Sequence, residues 1–172
     1  QINATITRSN CGQLDRIYNL GKKIGAEAVH VFMLVPVGCG GLLPESQMLT
    51  PSQYEQKLTE VCQLERRGKL QIKVTCAPHY ERITRQQGVP RPGRGGHGPG
   101  GCLAGIGILF VSHTGDVFPC GYLPVKCGNI LTQSLADIWY GSEHLAAVRD
   151  REKLKGKCGL CGYRQVCGGC RA

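Results

Sequence analysis

The sequence contains no run of about eighteen apolar residues, so nothing in it reads as a membrane span. It opens without the charged and then apolar segments of a secretion leader, and the expected location is the cytoplasm. Acidic residues are scarce, 12 against 21 basic ones, which gives a formal charge of +9. That imbalance points to an acidic partner: nucleic acid, an acidic protein or a polycarboxylate. Aromatics are also few, at 6%. The stretch "RPGRGGHG" has none between its arginines, which speaks against single-strand nucleic acid, whose bases stack on aromatic rings. The chain starts with Gln1 rather than Met, so it is expected to be processed or part of a longer protein.

Cysteine, by contrast, is abundant: eleven in 172 residues. An odd count, uneven spacing and no leader weigh against a disulfide scaffold. In a reducing compartment clustered thiolates are more often ligands of soft metals. A metal-loaded chain would also carry less positive charge than the formula states, because each ligating cysteine is a thiolate.

The first half reads as β-α-β-α-β. "INATITR" (2–8) has strand character, and Leu14, Ile17, Tyr18 and Leu20 follow at helical spacing over 11–26. "AVHVFMLVP" (28–36) is a nearly continuous apolar run, expected to be buried on both faces of a parallel sheet. Thr50, Pro51 and Gln53 form a capping box ahead of a helix carrying Tyr54, Leu58, Val61, Cys62 and Glu65. "LQIKVTCAP" (70–78) is the third strand. Three parallel strands leave raw edges and amount to part of a barrel or doubly wound sheet. Residues 88–101, "GVPRPGRGGHGPGG", read as a linker or closing loop. Beyond it comes a hairpin, "GILFVS", a turn at His113–Asp116 and "VFPC", then one or two helices with Ser134 as N-cap. The expected organisation is an α/β module at 1–87, a linker at 88–101 and a cysteine-rich module at 102–172.

The chain closes on "CGLCGYRQVCGGC", in which Cys158, Cys161, Cys167 and Cys170 are interleaved with glycines. Glycines let the backbone wrap tightly round a metal and aim amides at sulfur. These thirteen residues alone leave a zinc knuckle, a pair of disulfides or an iron–sulfur cluster open. Upstream, Cys102 and Cys120 bracket Gly115, with twelve and four intervening residues. Cys62 is expected in the core, Cys11 near a helix start, and Cys39 in a loop.

That C-x12-G-x4-C pattern, followed by CxxC-x5-C and a further cysteine, resembles the SPASM domain of radical SAM enzymes. The wording of "LVPVGCG", "TCAPHYERI", "GCLAGIGILFVSHTGDVFPCGYLPVKCGNI" and "CGLCGYRQVCGGCRA" is similar to the tetrapyrrole members, in haem d1 and alternative haem biosynthesis. The family usually spaces its last two cluster cysteines by three residues, and here Gly168 and Gly169 are two. It also often reads "LVPTGRG" where this chain has Gly38-Cys39-Gly40.

The resemblance implies an α/β fold: the C-terminal half of a partial (β/α) radical SAM barrel, plus a small SPASM domain with a β-hairpin and short helices. It implies auxiliary 4Fe–4S clusters. Cys158, Cys161 and Cys167 would hold one, whose fourth family ligand lies downstream of Ala172. Cys102, Cys120 and Cys170 would hold a second, with Cys76 or Cys127 as fourth ligand. The S-adenosylmethionine-binding CxxxCxxC motif would lie upstream of Gln1 in a missing N-terminal half, so this chain alone is expected to be inactive. The full enzyme, of oxidoreductase or lyase type, would form a 5′-deoxyadenosyl radical that abstracts hydrogen from a tetrapyrrole side chain. A carboxylate side chain would then be lost or replaced, with an electron donor protein as partner. His79, Tyr80, Arg82, Arg85, Arg91, Arg94 and His97 are the substrate-side candidates, since arginine forks suit carboxylates. No nucleic acid partner is expected. Competing readings are a peptide-modifying radical SAM maturase and a zinc-stabilised binding module without catalytic activity.

Overall fold

A computed structural model describes residues 1–89 and 101–170. The chain separates into two compact units, Gln1–His97 and Gly98–Ala172.

Unit 1 is a parallel sheet with helices on one side. Strands β1 (Ile2–Ile6), β2 (Ala28–Met33) and β3 (Gln71–Thr75) lie in the order β1-β2-β3. Helices α1 (Leu14–Lys23) and α2 (Pro51–Arg66) make the two crossovers, and α3 (Tyr80–Gln86) follows β3. The capping box at α2 forms as expected: the Gln53 amide donates to Thr50 Oγ1, and the Thr50 amide to Gln53 Oε1. Local chemistry alone sets this helix start, because both bonds lie within four residues. Strand alternation then decides the core. Val29, Val31, Met33, Ile6 and Ile72 project towards the helices and pack with Leu14, Tyr18, Leu58, Val61 and Cys62. Gly21 faces this layer because a Cβ there would stand 2.9 Å from Leu70 Cδ1, so α1 lies too close to admit one. Cys62 is a core residue, as its helical position requires.

The other face of the sheet is different. In register, Asn3, His30 and Lys73 form one row and Thr5, Phe32 and Thr75 the next. The expected burial of β2 on both faces holds from Val29 to Val31, with Phe32 half-buried, but the face away from the helices is mixed in character because it carries His30. Strands β1, β2 and β3 are also shorter than the sequence ranges, ending before Pro36 and Pro78. Prolines lack the N–H that a parallel ladder uses. The segment carrying Arg82 and Arg85, to which the sequence reading assigned no element, is a helix, α3.

Unit 2 is built on a small antiparallel sheet, β4 (Phe110–Val111), β5 (Asp116–Phe118) and β6 (Gly128–Asn129). Its helices are α4 (Leu135–Gly141), α5 (Glu143–Arg149), α6 (Gly156–Gly159) and α7 (Arg164–Cys167). Ser134 caps α4 as expected, and Ser142 separately caps α5. The buried apolar cluster comprises Val117, Ile138 and Leu145, with Leu109, Cys127, Trp139 and Val148 against it. At roughly 2 kcal/mol per buried aliphatic side chain, three such residues are a thin core. Units of this size commonly need a metal or a covalent staple. Arg149 supplies part of the joinery: its Nε and Nη1 donate to the carbonyls of Gly105 and Trp139, both at 2.8 Å, and its guanidinium covers the Trp139 ring.

Candidate iron–sulfur scaffold

The glycine between Cys102 and Cys120 has a steric cause. Gly115 turns the β4–β5 hairpin at φ +80°, where a Cβ would stand 2.8 Å from Leu131 Cγ and 2.9 Å from Asn129 Oδ1. Asn129 occupies that space because its side chain ties the hairpin together. Its Nδ2 donates to the Thr114 carbonyl at 3.0 Å and to Asp116 Oδ1 at 2.8 Å, and its Oδ1 accepts from the Leu131 amide. Lys126 lies 2.6 Å from the same carboxylate. Hydrogen bonds from Lys126 and then Asn129 hold Asp116 below the usual carboxylate range. The hairpin ends at Pro119, whose carbonyl accepts from the Gly105 amide, and Cys120 follows directly.

The terminal cysteines lie on two single-turn helices and the loop between them. Cys158 is on α6, Cys161 follows it, and Cys167 closes α7. Gly168 and Gly169 take left-handed conformations, φ 69° and 66°, which reverse the chain before Cys170. The Cys161 amide donates to the Cys158 carbonyl, and the Tyr163 amide reaches Cys161 Sγ at 3.4 Å. Arg164 donates to the Gly159 carbonyl and pairs with Glu152 at 2.7 Å. Buried Arg151 donates to the Gln165 carbonyl and packs under Gly168. Two guanidinium groups thus fasten the cysteine segment.

The two cysteine groups meet through the backbone. The Cys102 amide donates to the Cys167 carbonyl at 3.4 Å. Gly169 borders Cys158 Sγ, at 3.5 Å from where its Cβ would be. Among the described residues, no three His, Cys, Asp or Glu side chains stand together as a metal-sized group. The fit to an iron–sulfur cluster therefore rests on an all-thiolate donor set, the N–H···S contact at Cys161 and the glycine-shaped backbone, not on converged sulfurs. Cys127 sits differently. Its thiol donates to the Val125 carbonyl, and burial first of all pushes its pKa up.

The unit 1 candidates lie at the end of β3. Cys76 has φ 63°, and its carbonyl accepts from the Tyr54 hydroxyl at 3.1 Å. His79 stacks obliquely on Tyr54 at 5.2 Å. Burial, then the nearby Arg82 charge, lowers its pKa. Arg82 pairs with Glu55 at 2.6 Å and donates to Gln86. Arg85 is exposed on α3. Tyr80 is 2% exposed, with its hydroxyl donating to Glu65, so its ring belongs to the core rather than to a solvent-facing pocket. Arg91, Arg94 and His97 lie outside the described residues. Sequence reading missed the row Asn3–His30–Lys73. Its signal was a histidine and a lysine at alternating strand positions, legible only once the helix side of the sheet is known.

A parallel α/β unit and a cysteine-rich unit on one chain define a class. Residues 102–170 match the SPASM family, an iron–sulfur cluster-binding domain. The second unit is therefore a SPASM-type iron–sulfur domain. The chain is 46% identical over its whole length to the AdoMet-dependent heme synthase of Methanosarcina barkeri, covering 50% of that protein. It is 44% identical to the AdoMet-dependent heme synthase of Nitratidesulfovibrio vulgaris, again over the whole chain and 48% of that protein. The chain thus spans about half the length of the curated relatives it matches. In fold it resembles native anSMEcpe with bound AdoMet, with a TM-score of 0.60 at 15% identity, over 98% of this chain and 46% of that one. The fold is accordingly the part of a radical SAM barrel formed by β1–β3 and their helices, followed by a SPASM domain. Among the described residues, no helix is long and apolar enough to cross a membrane.

Proposed function

We propose that this chain forms the cluster-bearing part of a radical SAM enzyme that alters carboxylate side chains of a tetrapyrrole in haem synthesis. The supporting observation is identity of 44–46% along the entire chain to AdoMet-dependent heme synthases. In this reading Cys158, Cys161 and Cys167 hold one auxiliary 4Fe–4S cluster. Cys102, Cys120 and Cys170 serve a second, with Cys127 or Cys76 as its fourth ligand. When bound, such a cluster supplies a one-electron relay beside the substrate. The protein's own part is to hold the ligands in register. The Tyr163 amide at Cys161 Sγ and the Arg151 and Arg164 guanidiniums serve that end. Cys127 is the weaker ligand candidate, since its raised pKa opposes ionisation.

On the substrate side, His79, Arg82 and Arg85 stand at or just after the C-terminal end of β3, where α/β barrels carry their functional groups. His79 is held neutral by burial and is suited to accept or donate a hydrogen bond. Arg82 is occupied by Glu55, so it would meet a carboxylate only by exchanging partners. Arg94 and His97 complete the proposed set. The S-adenosylmethionine-cleaving CxxxCxxC motif is absent from these 172 residues. Radical formation is therefore assigned to residues outside this sequence, and an electron donor protein is the expected partner.

Anaerobic reconstitution with iron and sulfide tests the reading. The chain should turn brown, with iron and acid-labile sulfide in equal amounts. Colourless protein with stoichiometric zinc would overturn it in favour of a zinc-stabilised module. Reductive formation of 5′-deoxyadenosine by this chain alone would overturn the assignment of cleavage to other residues.

A further inference from the structure

The guanidinium of Arg164 leaves one of its donors unused. Arg164 opens α7, and its side chain runs back across the Cys158–Cys161 turn, where Nη1 donates to the Gly159 carbonyl at 3.1 Å. Nη2 donates to Glu152 Oε2 at 2.7 Å. Between backbone and fork, Nε is shielded from solvent and has no hydrogen-bond partner among the described residues, although the side chain as a whole is 38% exposed. A carboxylate facing an arginine frequently engages two of its N–H groups with two oxygens. Here the second oxygen of Glu152, Oε1, is turned to the Gln165 side-chain amide instead. The Glu152 backbone is in turn tied to Asp150 Oδ1 at 3.0 Å. A buried donor without an acceptor is costly, and more so on a charged group. From Cys158 to Cys170 the sequence holds no carboxylate and no histidine, and its four cysteine sulfurs are the side-chain acceptors suited to a cluster site. One of them, Cys161 Sγ, already receives the Tyr163 amide from the same turn.

We propose that Arg164 is a positioning residue of the loaded site, its Nε–H donating to an anionic sulfur of the cluster held by Cys158, Cys161 and Cys167. This deepens the cluster reading and rests on it. A neutral thiol is a weak acceptor, so the donor is idle in the metal-free loop. Loading replaces thiols by thiolates and sulfide, and the idle donor then makes a charge-assisted hydrogen bond. Such a bond draws negative charge from sulfur. It favours the reduced, more negative form of the cluster and raises its reduction potential. The positive charge of the fork is already balanced by Glu152, so the effect belongs to the directed N–H rather than to charge at large. Lysine at this position keeps the charge and the pairing with Glu152, but it has no donor at the Nε position.

The test is a potentiometric titration of the reconstituted 172-residue chain, followed by electron paramagnetic resonance of the reduced cluster. The resonance that Cys161→Ser removes belongs to this site. Arg164→Lys should load iron as wild type does and hold the electron about tenfold less tightly, a fall of about 59 mV for a one-electron couple. Arg164→Gln should lower the midpoint by a similar amount. Lys157→Gln removes an exposed cation next to Cys158 and should leave the midpoint unchanged. A wild-type midpoint in Arg164→Lys overturns the proposal, whether or not Arg164→Gln is lowered. An equal fall in Lys157→Gln also overturns it, because surface charge would then explain the shift. A second measurement covers the case in which the Arg164 variants lose the cluster. With arginine labelled by nitrogen-15 at Nε, the reduced wild-type cluster should show a hyperfine-coupled label, and absence of that coupling overturns the bond. If the wild-type chain takes up no iron and sulfide, the cluster reading itself fails; if it loads normally and only the midpoints or the coupling disagree, the part assigned to Arg164 fails alone.

Discussion

Gly101 lies against the carbonyl of Cys167 so closely that a Cβ on it would stand 1.9 Å from that oxygen. This contact joins the segment entering the hairpin to the end of α7, one residue before the Cys102 amide reaches the same carbonyl. It is the backbone seam along which the two cysteine groups are held. Gly101→Ala therefore meets both a steric clash and an unfavourable φ of 96°. It should cost about 2–3 kcal/mol in urea unfolding and lower iron retention after reconstitution. A variant that loads iron as wild type would show that the seam does not position the ligands.

The cysteines should divide by role in a serine series. Cys158→Ser, Cys161→Ser and Cys167→Ser should each reduce iron content and bleach the brown absorbance, because serine is a poor ligand for iron. Cys62→Ser should leave iron content unchanged but destabilise unit 1, since it buries a hydroxyl within an apolar cluster. Iron and sulfide analysis beside denaturant unfolding separates the two outcomes. Removing metal from the loaded chain with a chelator should lower the stability of unit 2 far more than that of unit 1, given the thin Val117–Ile138–Leu145 core.

His79 makes unit 1 pH-sensitive in a stated direction. Its folded pKa lies below the ordinary value of 6.5, chiefly through burial. Between the folded and unfolded values the unfolded chain binds more protons, so stability rises with pH across that window. The stability lost on acidification should begin as pH falls below about 6.5 and stop growing below the folded pKa. His79→Gln should flatten that slope in urea midpoints measured from pH 8 down to pH 5. An unchanged slope would assign the dependence to another group.

Thr50→Ala isolates a purely local contribution. Thr50 is exposed, and its side chain serves the reciprocal cap with Gln53. Loss of the cap should cost about 1 kcal/mol in unfolding. Because α2 carries Tyr54, which braces the left-handed Cys76, the variant also reports on the strand end: thiol labelling at Cys76 should quicken.

Much of the scaffold was legible because it is local. The capping box at Thr50, the Ser134 cap, the turn glycine Gly115 and the CxxC spacing each depend on residues a few positions apart. Helix α3 was not, because seven residues after Pro78 are too short to show a helical apolar period. The helix forms because Ile83 and Thr84 find core to bury against. Strand β6 was missed for the opposite reason: Gly128 and Asn129 have little strand propensity, and the Asn129 side chain holds the hairpin instead.

The sequence by itself determined the order of elements, the capped helix starts and the two cysteine groups with their glycine spacing. Those features follow from covalent neighbourhood, short hydrogen bonds and the stereochemistry of residues without a Cβ. Tertiary structure decided which face of the sheet meets the helices. It thereby placed Tyr80 in the core and set Lys73 beside His30. It also decided that Gly101 and Cys102 seat against Cys167, some sixty-five residues onward. Parity fixes only that alternate residues share a side. Which side is buried depends on where apolar area from distant segments removes the most surface from water.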